Sequence, residues 1–279
     1  MKSSGAEAEQ QAWASRKRTV DIDGLRIAYV EIPGVEPALL LVHGFTDTSR
    51  SFSLLAPHLA GRRLIIPDLR GHGGSDTGSG CDIDDFATDI ALLIRRLRLE
   101  RPVVVGHSLG AMIAIRLAAE HPGSVGGLAL LAGAVKAGFA EAHPIVSGVN
   151  ALRDPISPAD PFYVWWHACR PGVSPTFLAR MAQEASAIPA ARWRAILDEI
   201  RRTDLTELAR TVRVRTLVIA GACDELFGET HQEALSRALP HASSVQANGC
   251  GHNPHWEHPA FVAAAISSNF VRASSSGDI

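Results

Sequence analysis

Five residues constrain this chain more than any others: Gly106-His107-Ser108-Leu109-Gly110. They follow the apolar run Val103-Val104-Val105 and lead into a helical stretch at Ala111. A Gly-x-Ser-x-Gly sequence between strand and helix is the sharp turn that lifts a serine hydroxyl clear of the backbone. Small flanking residues are needed because the turn strains the serine backbone, and bulkier neighbours would collide with the adjoining strand and helix. The result is a hydroxyl at the carboxyl edge of a sheet, beside the positive end of a helix dipole. The plainer alternative is a Gly-rich joint with no chemical role.

The rest of the chain supplies the sheet that such a turn requires. Ala38–Val42, Leu64–Pro67, Val103–Gly106, Leu128–Leu131 and Leu217–Ala220 are continuous apolar runs bounded by Gly, Pro or charge. Strands buried on both faces of a parallel sheet have this pattern. Asp85–Leu97 and Ala111–Glu120 have helical periodicity. Asp82 or Asp84 can cap the first, and His121-Pro122-Gly123 ends the second. Strands alternating with helices predict a parallel α/β sheet with right-handed crossovers. Ahead of it, Thr19–Ile22 and Leu25–Glu31 predict a hairpin turned by Asp23-Gly24.

One segment breaks the alternation. Residues 135–211 show no convincing strand, carry Trp165, Trp166 and Trp193, and are cut by seven prolines from Pro144 to Pro189 into short helical pieces. The expected arrangement is a helical cap, or lid, inserted into an α/β core formed by 19–134 and 212–273. Residues 1–18 and the Ser-rich end, 274–279, are expected to be tails.

Composition narrows the function. Of 279 residues, 46% are apolar and 20% charged, enough for a sizeable core and too little charge for disorder. Twenty-seven basic and 29 acidic side chains leave a net charge of −2, which argues against nucleic acid or an anionic membrane as partner. No run has the roughly 18 apolar residues of a membrane span, and the N-terminus lacks the apolar core of a signal peptide. The four cysteines, Cys81, Cys169, Cys223 and Cys250, form no metal-like cluster and no disulfide framework. Such scattered thiols fit a reducing cytoplasm.

A serine is a poor nucleophile without a base held by a third group. Among twelve histidines, His252 stands out in the Gly-rich loop Gly249-Cys250-Gly251-His252-Asn253-Pro254, between a predicted last strand and the C-terminal helix. His255 and His258 are competitors, each expected to be a helix-start or surface residue, and His107 is expected to pack. The acid should follow a strand, as Asp224 follows Thr216–Cys223; Glu225 is its neighbour and rival. The order Ser…Asp…His is one of the known chain orders of this constellation. Acyl transfer also needs two preorganised oxyanion donors. Leu109 N–H and Phe45 N–H, the latter in His43-Gly44-Phe45-Thr46, are the candidates. Asp68-Leu69-Arg70-Gly71-His72-Gly73-Gly74-Ser75 lacks the lysine and spacing of a phosphate loop. Its Asp68, Arg70 and Ser75 are expected to bond the backbone.

These stretches, together with Gly221-Ala222-Cys223-Asp224 and Gly251-His252-Asn253-Pro254-His255-Trp256, resemble the α/β-hydrolase superfamily in order and spacing. The resemblance implies a mostly parallel eight-stranded core with its site beneath a cap. It places the nucleophile on Ser108, the acid on Asp224, the base on His252 and the oxyanion donors on Phe45 and Leu109. Serine at the elbow disfavours the dehalogenases and epoxide hydrolases of the superfamily, which carry aspartate there. Some members take the acid from the preceding strand, but here that strand ends in Leu131-Ala132-Gly133-Ala134, without an acid.

The implied reaction is hydrolysis of a carboxylic ester or lactone, without metal or organic cofactor, by a monomer or homodimer acting on a small molecule. Phe162, Tyr163, Trp165, Trp166 and Phe177 predict an apolar or aromatic substrate, possible forms including a macrocyclic lactone, unless they serve only to pack the lid. Carbon–carbon bond hydrolysis and perhydrolysis use the same residues. A receptor that keeps the triad but signals is the alternative from another class.

Overall fold

The computed structural model describes residues 10–169, 172–239 and 241–270. Eight strands form one sheet: β1 (Lys17–Ile22), β2 (Leu25–Ile32), β3 (Val35–Val42), β4 (Arg62–Pro67), β5 (Val103–His107), β6 (Gly127–Leu131), β7 (Arg215–Gly221) and β8 (Ser243–Ala247). Their spatial order is β1-β2-β4-β3-β5-β6-β7-β8. β1 and β2 form the antiparallel hairpin, and β2 also runs antiparallel to β4, whereas every pairing from β4 to β8 is parallel. Positive φ at both Asp23 (53°) and Gly24 (86°) gives the hairpin its two-residue turn.

The central strands are apolar along their whole length because both faces are covered. β5 and β6 are buried at every position. Leu40, Val42, Val104, Leu128 and Val218 pack on one side with helices α1 (Ile83–Arg96) and α2 (Leu109–Glu120). The alternate residues Leu39, Leu41, Val105, Ala129 and Leu217 face the other side, which a C-terminal helix, Pro259–Phe270, covers through Val262, Ala263 and Ile266. At the start of α1, Asp82 caps: its side chain accepts from Asp85 N–H, and Asp85 returns the bond.

Between β6 and β7 the chain leaves the sheet, and its described residues form five helices: α3 (Pro144–Ala151), α4 (Pro161–Trp166), α5 (Pro175–Ser186), α6 (Ala190–Arg202) and α7 (Thr206–Ala209). Pro144, Pro161 and Pro175 each begin a helix, where the missing N–H costs no bond. Among the described residues the insertion's one strand-like contact is the bridge Lys136–Asp204. It is tied to the core by Trp166 Nε1–H, which donates to Thr46 Oγ1 at 2.7 Å, and by the Arg50–Glu184 ion pair at 2.7 Å.

Two expectations need correction. The N-terminal segment is no loose tail from Gln10 onward: Trp13 is 1% exposed and its Nε1–H donates to Ser49 Oγ, while Arg50 donates to the Gln10 carbonyl. An indole able to fill a core site outweighs the polar residues around it. Residues 1–9 and the expected tail at 274–279 lie outside the described residues. In the Gly-rich loop, Asp68 and Ser75 do bond the backbone: Asp68 accepts from Ser49 and Gly74 N–H, and Ser75 Oγ donates to the Asp68 carbonyl. Arg70, by contrast, turns its guanidinium to the carboxylates of Asp89 and Asp85.

Candidate active site

Ser108 sits where β5 ends and α2 begins, with φ 52° and ψ −113°. That backbone conformation is sparsely populated and is held by the packing around it, at a cost of roughly 1–3 kcal/mol. Ser108 N–H donates to the Leu131 carbonyl on β6, and its own carbonyl receives Ala111 N–H. The flanking glycines allow close backbone approach. A Cβ at Gly106 would strike the Gly110 carbonyl, and one at Gly110 would strike the Val42 carbonyl.

The loops after β7 and β8 bring two further side chains to this serine. His252 Nε2 lies 2.9 Å from Ser108 Oγ, and His252 Nδ1 lies 2.9 Å from Asp224 Oδ2. The partners assign the tautomer: Nδ1–H donates to the carboxylate, leaving the Nε2 lone pair for the serine proton. Asp224 Oδ1 accepts from Leu226 and Phe227 N–H, which fixes the carboxylate. Burial alone would raise the Asp224 pKa, but the imidazole and the two N–H groups outweigh it and hold the carboxyl below its ordinary value. Glu225 is exposed, as is His258.

Behind this line runs a buried polar chain. His107 Nε2–H donates to the His252 carbonyl at 2.9 Å, and its Nδ1 is 3.6 Å from Asp47 Oδ2. Asp47 accepts from Ser51 Oγ–H, and Ser51 Oγ in turn accepts from His255 Nε2 and Trp256 Nε1. His107 therefore does more than pack, and His255, though at a helix start, is fully buried rather than on the surface. Burial and the neighbouring His107 push the His255 pKa well down. Asp47 is opposed by burial, yet the His107 imidazole keeps it far below the usual carboxylate range.

Of the two candidate oxyanion donors, Phe45 lines the space over Ser108, and Leu109 directly follows Ser108. Leu109 is the first residue of α2, where N–H groups have no intrahelical acceptor. The Phe45 loop is pinned from both sides. His43 Nδ1–H donates to the Gly44 carbonyl and His43 Nε2 accepts Leu69 N–H, while His72 Nε2–H donates to the Phe45 carbonyl. Burial lowers the His43 pKa to about 4, keeping the lone pair that Leu69 needs.

Two cavities meet at His252. A chamber of about 10 Å³ lies over Ser108, bounded by Phe45, Trp166, His167, His252 and Trp256. A groove of about 310 Å³ runs outward past Trp165, Trp166, Cys169 and Leu226, and shares Trp166, His252 and Asn253 with the chamber. Larger cavities of about 720 and 800 Å³ elsewhere contain neither Ser108 nor His252. Of the aromatic residues expected at the substrate, Trp165 and Trp166 line the groove. Phe162 and Tyr163 do not. They are 8% and 4% exposed and back the wall, Phe162 stacked on Trp166 and Tyr163 on His167. Phe177 packs on Trp256. Sequence reasoning missed His167, Asn253 and Trp256; the first directly follows the Trp165-Trp166 pair, and the others flank the His252 loop. Among the described residues no cluster of His, Cys, Asp or Glu is arranged to hold a metal ion, and no helix is long and apolar enough to cross a membrane.

Comparison with known proteins agrees with this fold. The model of the alpha/beta hydrolase family matches residues 39–265. The chain is 31% identical over 274 residues to a 2-(acetamidomethylene)succinate hydrolase of Mesorhizobium japonicum, covering 92% of this chain and 95% of that one. It is 30% identical over 253 residues to the lipase LipV of Mycobacterium tuberculosis, covering 85% and 94%. The crystal structure of a bacterial membrane phospholipase A superposes with a TM-score of 0.80 at 25% identity, covering 95% of this chain and 88% of that one.

Proposed function

The chain belongs to the alpha/beta hydrolase family, and on that premise we propose that it cleaves a carboxylic ester or lactone by serine acyl transfer. The observation that carries the reading is the pair of 2.9 Å contacts aligning Ser108, His252 and Asp224, with His252 in the wall of a groove. His252 takes the Ser108 proton as Oγ attacks the carbonyl carbon, and Asp224 stabilises the imidazolium that forms. Phe45 and Leu109 N–H hold the oxyanion. The carbon–oxygen bond to the alcohol then breaks, and His252 delivers the proton to the departing oxygen. Water attacks the acyl-enzyme, gives its proton to His252 and releases the acid, and the proton returns to Ser108.

Among the groove's described walls are two indoles and the carboxylates Glu225 and Glu257. That supports an uncharged, apolar or aromatic substrate in preference to a dicarboxylate. The triad is complete within one chain, so a monomer suffices. Four free thiols support a reducing, cytoplasmic setting.

The test is a panel of aryl and alkyl esters beside five-membered and macrocyclic lactones, run with wild type and Ser108→Ala. Serine-dependent multiple turnover on either class is expected. A single burst per protein would favour a triad-retaining receptor. Failure on every substrate would favour carbon–carbon hydrolysis or perhydrolysis.

A further inference from the structure

The two cavities at His252 are unequal, and the chemistry assigns each to one half of a substrate. The acyl carbon must sit within bonding reach of Ser108 Oγ with its oxygen toward Phe45 and Leu109. Ser108 and Phe45 line the small chamber and are absent from the groove. The departing oxygen must receive its proton from His252, which stands in the wall common to both. The alcohol half therefore leads outward into the groove, and the acyl half is confined to the chamber.

A chamber of about 10 Å³ is at the lower limit of what holds a single water. Its walls resist enlargement. Trp256 is 3% exposed, is tied by Nε1–H to the Ser51 carbonyl at 2.9 Å, and is packed edge-on against Phe177. Phe45 is 4% exposed and wedged against Trp193 with ring centres 5.3 Å apart. The groove, by contrast, offers about 310 Å³, and Trp165 in its wall is 41% exposed.

Building on the acyl-transfer reading above, we propose that the substrate is a short-acyl ester, of formyl or acetyl size, of a bulky and largely apolar alcohol or phenol. The acyl group fills the chamber beneath His167, and the alcohol lies along Trp165 and Trp166. This selects an ester over a macrocyclic lactone, whose acyl chain has to run from Ser108 all the way back to its own alcohol oxygen. His167 sets the length limit as a part of the roof that the insertion contributes beside Trp166. Its Nε2 makes no hydrogen bond in the structure, so trimming the ring breaks none at that atom. Burial lowers its pKa to about 4, so it is a neutral wall.

The experiment measures kcat/KM for 4-nitrophenyl acetate, butyrate and octanoate, and for benzyl and ethyl acetate, with wild type, His167→Ala and Ser108→Ala. Overfilling a packed site is costly per added methylene, so wild type is expected to lose at least about a hundredfold from acetate to octanoate. It is also expected to prefer benzyl over ethyl acetate by about tenfold. His167→Ala should recover about tenfold of the butyrate-to-acetate ratio. Serine-dependent octanoate hydrolysis as fast as acetate hydrolysis would overturn the short-acyl assignment and leave the ester hydrolase reading standing. Absence of serine-dependent hydrolysis with every ester would overturn both. The wild-type series decides the matter by itself if His167→Ala does not fold.

Discussion

On the sheet side of the reaction centre, polar groups are chained one to the next; on the insertion side, aromatic rings make most of the contacts. Ser108, His252 and Asp224 are each fixed by a backbone turn or by backbone N–H groups, and the loop carrying His252 is held from behind by His107. Above them Trp166 and His167 are placed by ring stacking and Trp165 by tilted contacts with Phe162 and Trp166, with one indole hydrogen bond to Thr46 and the more distant Arg50–Glu184 pair as polar anchors. Directional bonds hold atoms to the tolerance that proton transfer requires. Ring packing sets shape and size but tolerates small shifts, which suits selection among substrates. On this reading the floor supplies the reaction and the roof supplies the choice.

The sharpest break is Ser108→Ala. Loss of the nucleophile is expected to lower kcat by about 10⁶-fold, as for a serine protease, with an unchanged thermal midpoint. Turnover that survived would place the nucleophile elsewhere. Asp224→Asn should cost on the order of 10⁴ in kcat, because the carboxylate no longer holds His252 in the right tautomer. Glu225→Gln should be near wild type in the same assay, and the reverse pattern would exchange the two roles.

The roof's attachment can be broken without touching the floor. Glu184→Ala leaves Arg50, whose side chain is 4% exposed, without its carboxylate, and should cost about 3 kcal/mol in urea unfolding. A loss near zero would mean that ring packing alone seats the insertion.

Buried histidines give the pH dependence. His43 and His167 titrate at about 4 in the folded protein, against about 6.5 when unfolded. Below pH 6.5 the unfolded chain takes up protons that the folded one refuses. Their stabilisation is therefore complete above that pH and is lost as pH falls toward 4. Each should contribute a loss of about 2 kcal/mol between pH 7 and 5. Urea unfolding at the two pH values checks this, and a flat response would contradict neutral burial. The smallest effect is expected from Trp165→Ala, a several-fold rise in KM for aryl esters at unchanged kcat, since the ring is partly exposed and lines the groove rather than the chamber over Ser108.

Much of the site was legible because its residues obey local rules. The elbow needs glycines beside Ser108, the acid follows an apolar strand, and His252 lies in a Gly-rich loop; each signal spans fewer than ten neighbouring residues. Trp13 escaped because nothing local distinguishes a core indole in a polar segment from an exposed one. His107 escaped for a similar reason: its partners, the His252 carbonyl and Asp47, are remote in sequence. Phe162 and Trp166 look alike as aromatic residues of one short helix; four residues apart, they share a face and stack on each other, yet only Trp166 reaches the groove.

The sequence by itself determined the sheet and the elbow, and it singled out Ser108, Asp224 and His252 as candidates, because strand pattern and turn chemistry are short-range properties. Only the tertiary structure decided which aromatic residues face the reaction centre, how His107 and Asp47 brace the base, and how little space lies over the serine. Those are distances between residues far apart in the chain, and they exist only once the insertion has packed against the core.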